Sequence, residues 1–267
     1  ARIYGNLYSR GGSEGGNGGF IGTSGLKGFE ILNTPDITAS AGTGGTWLID
    51  PYNLVIGSGH GSTTTSNGGK TFTSNGGNAQ VGTANIKTAL TNGSTVIVQT
   101  GGTAGDGNGD GDITVSGRIT FDFNDGSTGD GTATLRLLAH GNINVNAVIE
   151  RDNDTLASNN GSENQNNTGK GILNLELIAN RDNQNGGDIT IANGVRIDTN
   201  GGYFYAGVRA AADADGFLDS DINTPTLGKF TSTGATIITT GKQGGGDIVI
   251  NANDDVALGA LEFKYLD

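Results

Sequence analysis

Short runs of alternating apolar and polar residues follow one another along this chain, separated by glycine, asparagine and aspartate. One phrase, a glycine, an acidic or amide residue and then alternating aliphatics, occurs at residues 111–115, 141–145, 187–191 and 246–250. Alternation with a period of two predicts β-strands, and we find no convincing segment with the apolar spacing of a helix. A recurring unit of this kind is typical of a solenoid, in which each coil buries its apolar face against the next.

The repeat predicts an all-β fold, specifically a parallel β-helix. Thr and Asn stand inside the strands, as in residues 142–146, and like residues can form ladders between the coils of a parallel stack. A β-sandwich or jelly roll is the alternative, and it would show cleaner alternation with two-residue hairpin turns. With roughly 20–25 residues per coil, a single domain over the whole chain would contain about 11–13 coils.

The repeated phrases are unevenly spaced, starting 30, 46 and 59 residues apart. Unequal spacing predicts loops inserted on one side of the stack, while the strand faces are kept. The predicted insertions are residues 101–111, 152–170 and 212–227.

Composition narrows the classes of function. The chain has 27 acidic and 15 basic residues, a net charge of −12, which opposes nucleic-acid binding because that requires a clustered basic face. Cysteine is absent, which excludes thiol chemistry, and no apolar run is long enough to span a membrane. Methionine is also absent, so we expect Ala1 to follow a removed secretory signal. The acidic charge suits metal cations or neutral polysaccharides as partners.

Two acid-rich segments are candidate calcium sites. In the first, oxygen ligands alternate with glycine, which is the spacing of a calcium loop, although Gly117 stands where an EF-hand requires glutamate. The alternative interpretation of both segments is a solvated acidic turn, and no other cofactor is predicted. The candidate ligands are Asp106, Asn108, Asp110, Asp112, Asp213 and Asp215.

The competing function is that of a carbohydrate-active β-helix enzyme, a polysaccharide lyase or hydrolase. Such an enzyme needs clustered carboxylates with Arg or Lys on one face, or two acids at a fixed separation. Asp122, Asp125, Glu150, Arg151 and Asp152 could gather across coils, but their spacing does not require it. We therefore predict no catalytic residues and no enzymatic activity.

The aromatic residues have two interpretations each. Trp47, the single tryptophan, is predicted to be a buried packing anchor; exposed, it would stack on a sugar ring. Tyr203 and Tyr205 share one face of a strand and Phe204 takes the other. If the tyrosines lie on the surface, they form a candidate contact for a glycan or another partner.

Two segments resemble a known family. Residues 18–25 read Gly-Gly-Phe-Ile-Gly-Thr-Ser-Gly, and residues 44–56 contain Trp-Leu-Ile-Asp-Pro. This pair is similar to a block in the body of filamentous-haemagglutinin-like adhesins, the exoproteins of two-partner secretion. Residues 134–147 resemble the repeat units that follow in that family, so the resemblance covers roughly residues 15–250.

The resemblance implies a right-handed parallel β-helix (a β-solenoid), export through an outer-membrane secretion partner, and cell adhesion or biofilm-matrix building outside the bacterium. Because members of the family are usually much longer, we expect this chain to be a fragment of one or a short subunit that polymerises. Uncapped solenoid ends expose strand edges, which tend to add another chain. The expected partners are therefore copies of this chain, head to tail, and host or matrix glycans and proteins. The predicted end contacts are Ile3, Tyr4, Leu7, Leu261, Phe263 and Tyr265.

Overall fold

The computed structural model describes residues 1–25, 30–57, 63–66, 69–72, 79–90, 94–101, 111–122, 131–151, 171–180, 187–207, 227–241 and 244–262. Nearly all of its regular structure is β-strand. In chain order the elements are β1 Arg2–Ile3, β2 Phe20–Gly25, β3 Glu30–Ile31, β4 Thr46–Pro51, β5 Leu54–Gly57, β6 Thr63–Ser66, β7 Gly69–Phe72, β8 Ala79–Gly82, α1 Thr83–Ala89, β9 Thr95–Gln99, β10 Ile113–Val115, β11 Ile119–Phe121, β12 Thr132–Leu138, β13 Ile143–Val145, β14 Ile149–Arg151, β15 Ile172–Ile178, β16 Ile189–Ile191, β17 Arg196–Asp198, β18 Phe204–Ala206, β19 Phe230–Thr231, β20 Thr236–Ile238, β21 Thr240–Gly241, β22 Gly244–Gly245, β23 Ile248–Ile250, β24 Val256–Ala257 and β25 Ala260–Glu262.

Three parallel sheets form the body of the molecule. The first sheet has the order β2-β4-β9-β12-β15-β18-β23, the second β8-β5-β10-β13-β16-β19-β24, and the third β11-β14-β17-β20-β25. The chain visits them in turn: β12 in the first sheet is followed by β13 in the second and β14 in the third, and β15 returns to the first. This path is that of a parallel β-helix, which confirms the predicted fold class.

The coils are fewer than predicted, and their lengths vary widely. In the described residues the two longest sheets contain seven strands each, so the expected 11–13 coils are too many. Register partners on adjacent coils are 24 residues apart at Ile237 and Leu261, and 49 apart at Thr46 and Thr95. We call residues 1–25 the first coil, 30–51 the second coil and 244–262 the last coil.

Inward-facing aliphatic residues form columns along the coil axis. In one column Leu54 lies beside Ile113, and Ile143, Ile189 and Phe230 continue it, each no more than 1% exposed. Burying a side chain of this size contributes roughly 1.5–3 kcal/mol. The alternation seen in the sequence therefore becomes a single continuous core shared by the three sheets.

The fourth occurrence of the repeated phrase lies in a different sheet from the other three. Residues 111–115, 141–145 and 187–191 supply strands β10, β13 and β16 of the second sheet, whereas 246–250 supply β23 of the first. The next strand of the second sheet is β19, which begins at Phe230 and lacks the phrase. Alternation alone does not specify a sheet, because inward and outward positions repeat in the same way on every face.

A short helix, α1, interrupts the strand pattern, and the sequence did not predict it. It buries Ile86 and Ala89 and packs against β11, the strand at the end of the third sheet. In later coils a strand of the third sheet precedes each strand of the first sheet. Helix α1 precedes β9 of the first sheet, so it takes the place of a third-sheet strand in its coil. With seven residues it is too short to show a helical period in the sequence.

The two segments that carry the family resemblance pair directly with each other. Strand β2 runs parallel to β4 with Phe20 opposite Thr46. Trp47 is fully buried, and its Nε1–H donates to the Thr23 hydroxyl at 3.0 Å. That hydroxyl donates in turn to the Leu48 carbonyl at 3.1 Å. The prediction of Trp47 as a buried packing anchor is confirmed.

The predicted insertions fall in the parts of the chain that the structure does not describe. Residues 102–110, 152–170 and 212–226 lie outside the described ranges, while Gly101, Gly111 and Leu227 border them. The insertion boundaries therefore stay predictions.

Candidate functional site

A ladder of Asn and Asp side chains links the coils at the start of the second-sheet strands. Asn53 Oδ1 accepts the backbone N–H of Asp112 at 2.8 Å, and Asp112 Oδ1 accepts that of Asn142 at 2.7 Å. Asn142 Oδ1 accepts the N–H of Asp188 at 2.9 Å, and Asp188 Oδ1 accepts that of Lys229 at 2.8 Å. We call these residues the Asx ladder. It gives a structural reason for the acidic or amide position of the repeated phrase.

Asp112 was predicted as a calcium ligand, and its carboxylate belongs to this ladder. Its Oδ1 also accepts Asn142 Nδ2–H at 3.1 Å. Within the described ranges, no group of three or more His, Asp or Glu side chains could hold a metal ion. The other candidate calcium ligands, Asp106, Asn108, Asp110, Asp213 and Asp215, lie outside the described residues. Calcium binding at those segments stays a prediction.

Amides and carboxylates alternate along the ladder, and this alternation makes a testable prediction. In Asn142→Asp, a carboxylate replaces the amide that donates to Asp112, so three carboxylates follow one another. We expect the free energy of unfolding at pH 7 to fall by about 1.5–3 kcal/mol, which is the usual contribution of a hydrogen bond to a charged group. Urea titrations of the variant and the native chain at pH 7 measure the difference.

Asn144→Asp is the matched control, since Asn144 lies on the outer side of the same strand between Thr114 and Thr190. It adds the same charge beside uncharged neighbours, so a change below about 0.5 kcal/mol is expected. An equal effect of both variants would contradict the role assigned to the ladder.

The outer face of the second sheet is a regular polar array. Thr114, Asn144, Thr190 and Thr231 stand in register on successive strands, each partly exposed. Neighbouring strands lie roughly 4.8 Å apart, so hydroxyl and amide groups repeat at that spacing along the coil axis. The array offers many equivalent hydrogen-bonding groups, as expected of a long contact surface.

On the outer face of the third sheet, ion pairs surround the carboxylate closest to the predicted enzyme cluster. Glu150 Oε1 accepts from Arg118 Nε at 2.7 Å, and its Oε2 accepts from Arg196 Nη1 at 2.8 Å. Arg196 also donates to Asp198 at 2.6 Å, and Arg151 lies 3.9 Å from Asp198. Glu150 is therefore held by two guanidinium groups, as in a structural network. Asp125 and Asp152 lie outside the described residues.

A buried ion pair lies on the outward side of the first sheet. Arg136 and Glu176 are opposite each other on β12 and β15, with 2.7 Å between Nε and Oε2 and both side chains 3% exposed. Tyr203 donates its hydroxyl to Glu176 Oε1 at 2.7 Å, and its ring centroid lies 4.2 Å from that of Tyr205. Tyr205 is buried, so the tyrosine pair is not the exposed glycan platform considered from the sequence. Phe204 lies on the opposite face of the strand and packs in the core.

Large apolar side chains are exposed in the first and last coils. Val256 continues the core column that includes Ile189 and Phe230, yet it is 46% exposed, whereas those two are at most 1% exposed. Ile248 and Leu261 of the last coil also face the core and remain partly exposed. In the described part of the chain, the exposed large hydrophobic residues are Tyr4, Tyr8, Phe20, Val249, Val256 and Leu258.

The predicted end contacts lie in these terminal coils where they are described. Ile3 pairs with Ile31 and is partly buried, while Tyr4 beside it is exposed. Leu7 lines a cavity, and Leu261 pairs with Ile237 in the third sheet. Phe263 and Tyr265 lie outside the described residues. The described members thus lie in the first and last coils, and a contact with another molecule stays a prediction.

No protein-family model matches this chain, and no curated protein matches it either. Among the described residues, no helix has both the length and the apolar character required to cross a membrane.

Proposed function

We propose that this chain is a structural and adhesive β-solenoid of a bacterial surface or extracellular matrix, of the filamentous-haemagglutinin type, whose copies stack end to end. In this proposal the protein works by presenting surface and performs no catalysis. The proposal rests above all on the exposed end of the core at Val256. Among the described residues this column is buried along the body and exposed in the last coil, and an exposed apolar surface of this kind favours an apolar contact.

A second copy of this chain fits the open end. Head-to-tail stacking keeps all strands parallel, and in the first sheet it places β23 of one copy next to β2 of the following copy. Free edges of this kind add strands readily, because their backbone N–H and C=O groups await partners. The exposed Tyr4 and Phe20 of the first coil supply apolar surface for the partner.

The flanks of the coil support the adhesive half of the proposal. The second sheet presents its row of Thr and Asn side chains, and the net charge of −12 keeps such a polar rod soluble. The ion-paired state of Glu150 supports a structural role for this carboxylate, which is one of the acids that a carbohydrate-active enzyme would need.

Substitution of Val256 by lysine tests the stacking. Because Val256 is already 46% exposed, Val256→Lys should leave the monomer folded, while placing a charge in the proposed contact. We expect its self-association, measured by sedimentation velocity over a concentration series, to be at least about tenfold weaker than that of the native chain.

Asn146→Lys is the matched control, since Asn146 is exposed in the middle of the body and the substitution adds the same charge. It should associate like the native chain. A native chain that stays monomeric at every concentration, or an equal loss of association in Asn146→Lys, would contradict end-to-end stacking. Depolymerisation of a mixed glycan panel by the native chain, abolished in Glu150→Gln, would favour the enzyme instead.

A further inference from the structure

A cavity of about 400 Å³ lies where the first two coils meet helix α1. Its walls come from the segment around Tyr8 in the first coil, the segment around Asp36 in the second coil and the last turn of α1. A parallel bridge between Tyr8 and Asp36 holds the two coils in register at this point. Its volume falls within the roughly 300–1,000 Å³ of small-molecule sites, and three chain segments converge on it as such sites require.

The buried part of the lining is largely apolar, with Ser94 as a buried polar member, and the rim is polar. Pro35, Ile37 and Ala89 are buried, whereas Asn6 and Thr88 are exposed. A cavity of this kind suits a ligand that has both an apolar face and an edge of hydroxyl or amide groups.

An exposed aromatic ring with an ordered charge pair stands at the rim. Tyr8 is 60% exposed, and the Arg10 guanidinium carbon lies 4.7 Å from its ring centroid. Arg10 Nε donates to Asp36 Oδ2 at 2.6 Å. Asp36 Oδ1 accepts from the Thr38 hydroxyl at 2.7 Å and from the Thr38 backbone N–H at 3.2 Å. The aromatic ring and the two charges are therefore fixed relative to one another.

Asp36 stays ionised at neutral pH. Burial acts to raise the pKa of this carboxyl, but the hydrogen bonds from Thr38 and the Arg10 guanidinium outweigh it and hold the pKa below its usual value. The rim thus carries one negative and one positive charge. These two opposite charges offset each other at the rim, so the site presents no net charge to attract an ion and suits a neutral ligand.

We propose that this cavity binds a neutral mono- or disaccharide. The free part of the Tyr8 ring packs against the apolar C–H face of a pyranose, and Asp36 and Arg10 bond its hydroxyls, as an acceptor and a donor respectively. This inference deepens the adhesive part of the proposed function by naming a ligand class. It does not depend on end-to-end stacking, because the cavity walls come from three successive levels of the coil.

Saturation-transfer NMR with a panel of neutral saccharides containing glucose, galactose, mannose or N-acetylglucosamine tests the proposal on the full chain. We expect transfer to at least one member, followed by a calorimetric affinity that falls about tenfold or more in Tyr8→Ala, which removes the aromatic contact. Tyr4→Ala is the matched control, because Tyr4 is an exposed tyrosine of the same segment outside the cavity lining. It should bind like the native chain.

Thr88→Arg gives a second variant that does not touch the Tyr8–Arg10–Asp36 arrangement. Thr88 is exposed on the last turn of α1, so the longer side chain should fill the cavity mouth and abolish binding without unfolding the helix. The proposal is wrong if no saccharide of the panel binds, or if Tyr8→Ala and Thr88→Arg both bind as tightly as the native chain. If the chain binds a saccharide but never forms filaments, the proposed end-to-end stacking is wrong and the saccharide site stands.

Discussion

We expect the free energy of unfolding of the variant Glu176→Gln to be about 3–5 kcal/mol lower than that of the native chain. This is the usual loss when one partner of a buried ion pair is removed. Arg136 and Glu176 are both 3% exposed, so the Arg136 guanidinium would keep its charge without the carboxylate that offsets it. The Tyr203 hydroxyl would also lose a charged acceptor. Guanidinium chloride unfolding, followed by tryptophan fluorescence from the buried Trp47, measures the difference.

Replacing both charges separates the ion pair from the packing around it. The double variant Arg136→Met with Glu176→Leu leaves no buried charge, and it should recover most of the stability lost in Glu176→Gln. If the double variant is as unstable as the single one, the loss of stability comes from altered side-chain packing and not from the unpaired Arg136 charge.

We expect Gly187→Ala to lower the free energy of unfolding by about 3 kcal/mol, which is at the upper end of the usual loss from overpacking. A Cβ at Gly187 would lie 2.3 Å from the Gly141 carbonyl oxygen and 2.8 Å from the Asn180 nitrogen. Gly141 lies in the preceding coil and Asn180 lies earlier in the same coil as Gly187. Both contacts are with backbone atoms, which cannot move without disturbing the stacking of the two coils. The midpoint of chemical denaturation is the appropriate measurement.

Gly5→Ala is the matched control for this substitution. A Cβ there would meet no atom within 4 Å, so the change in stability should stay below about 0.5 kcal/mol. Equal effects of the two substitutions would show that close stacking of glycine on glycine between coils is not what the repeated phrase requires.

The fold class could be predicted from the sequence because alternation is a local property. Ile143 and Val145 are two residues apart, so they face the same side whatever the rest of the chain does. The number of coils could not be predicted in this way. It depends on which strands become neighbours, and the separation of register partners varies between coils.

The side-chain sites could not be predicted, because each joins residues from different coils. Arg136 and Glu176 meet only through the register of β12 with β15, and Asp112 reaches Asn142 only through that of β10 with β13. A signal for the Asx ladder was present in the repeated acidic or amide position. Its role as an acceptor for the next coil requires knowledge of which residue lies beside it.

Electron microscopy combined with fibre diffraction on the purified native chain tests the central claim most directly. Stacked copies would appear as continuous unbranched filaments, and aligned filaments would give a reflection near 4.8 Å along the filament axis, because the strands lie across it. Isolated particles at every concentration, or filaments whose strands run along the axis, would contradict the proposal that this chain builds an extended rod by end-to-end addition.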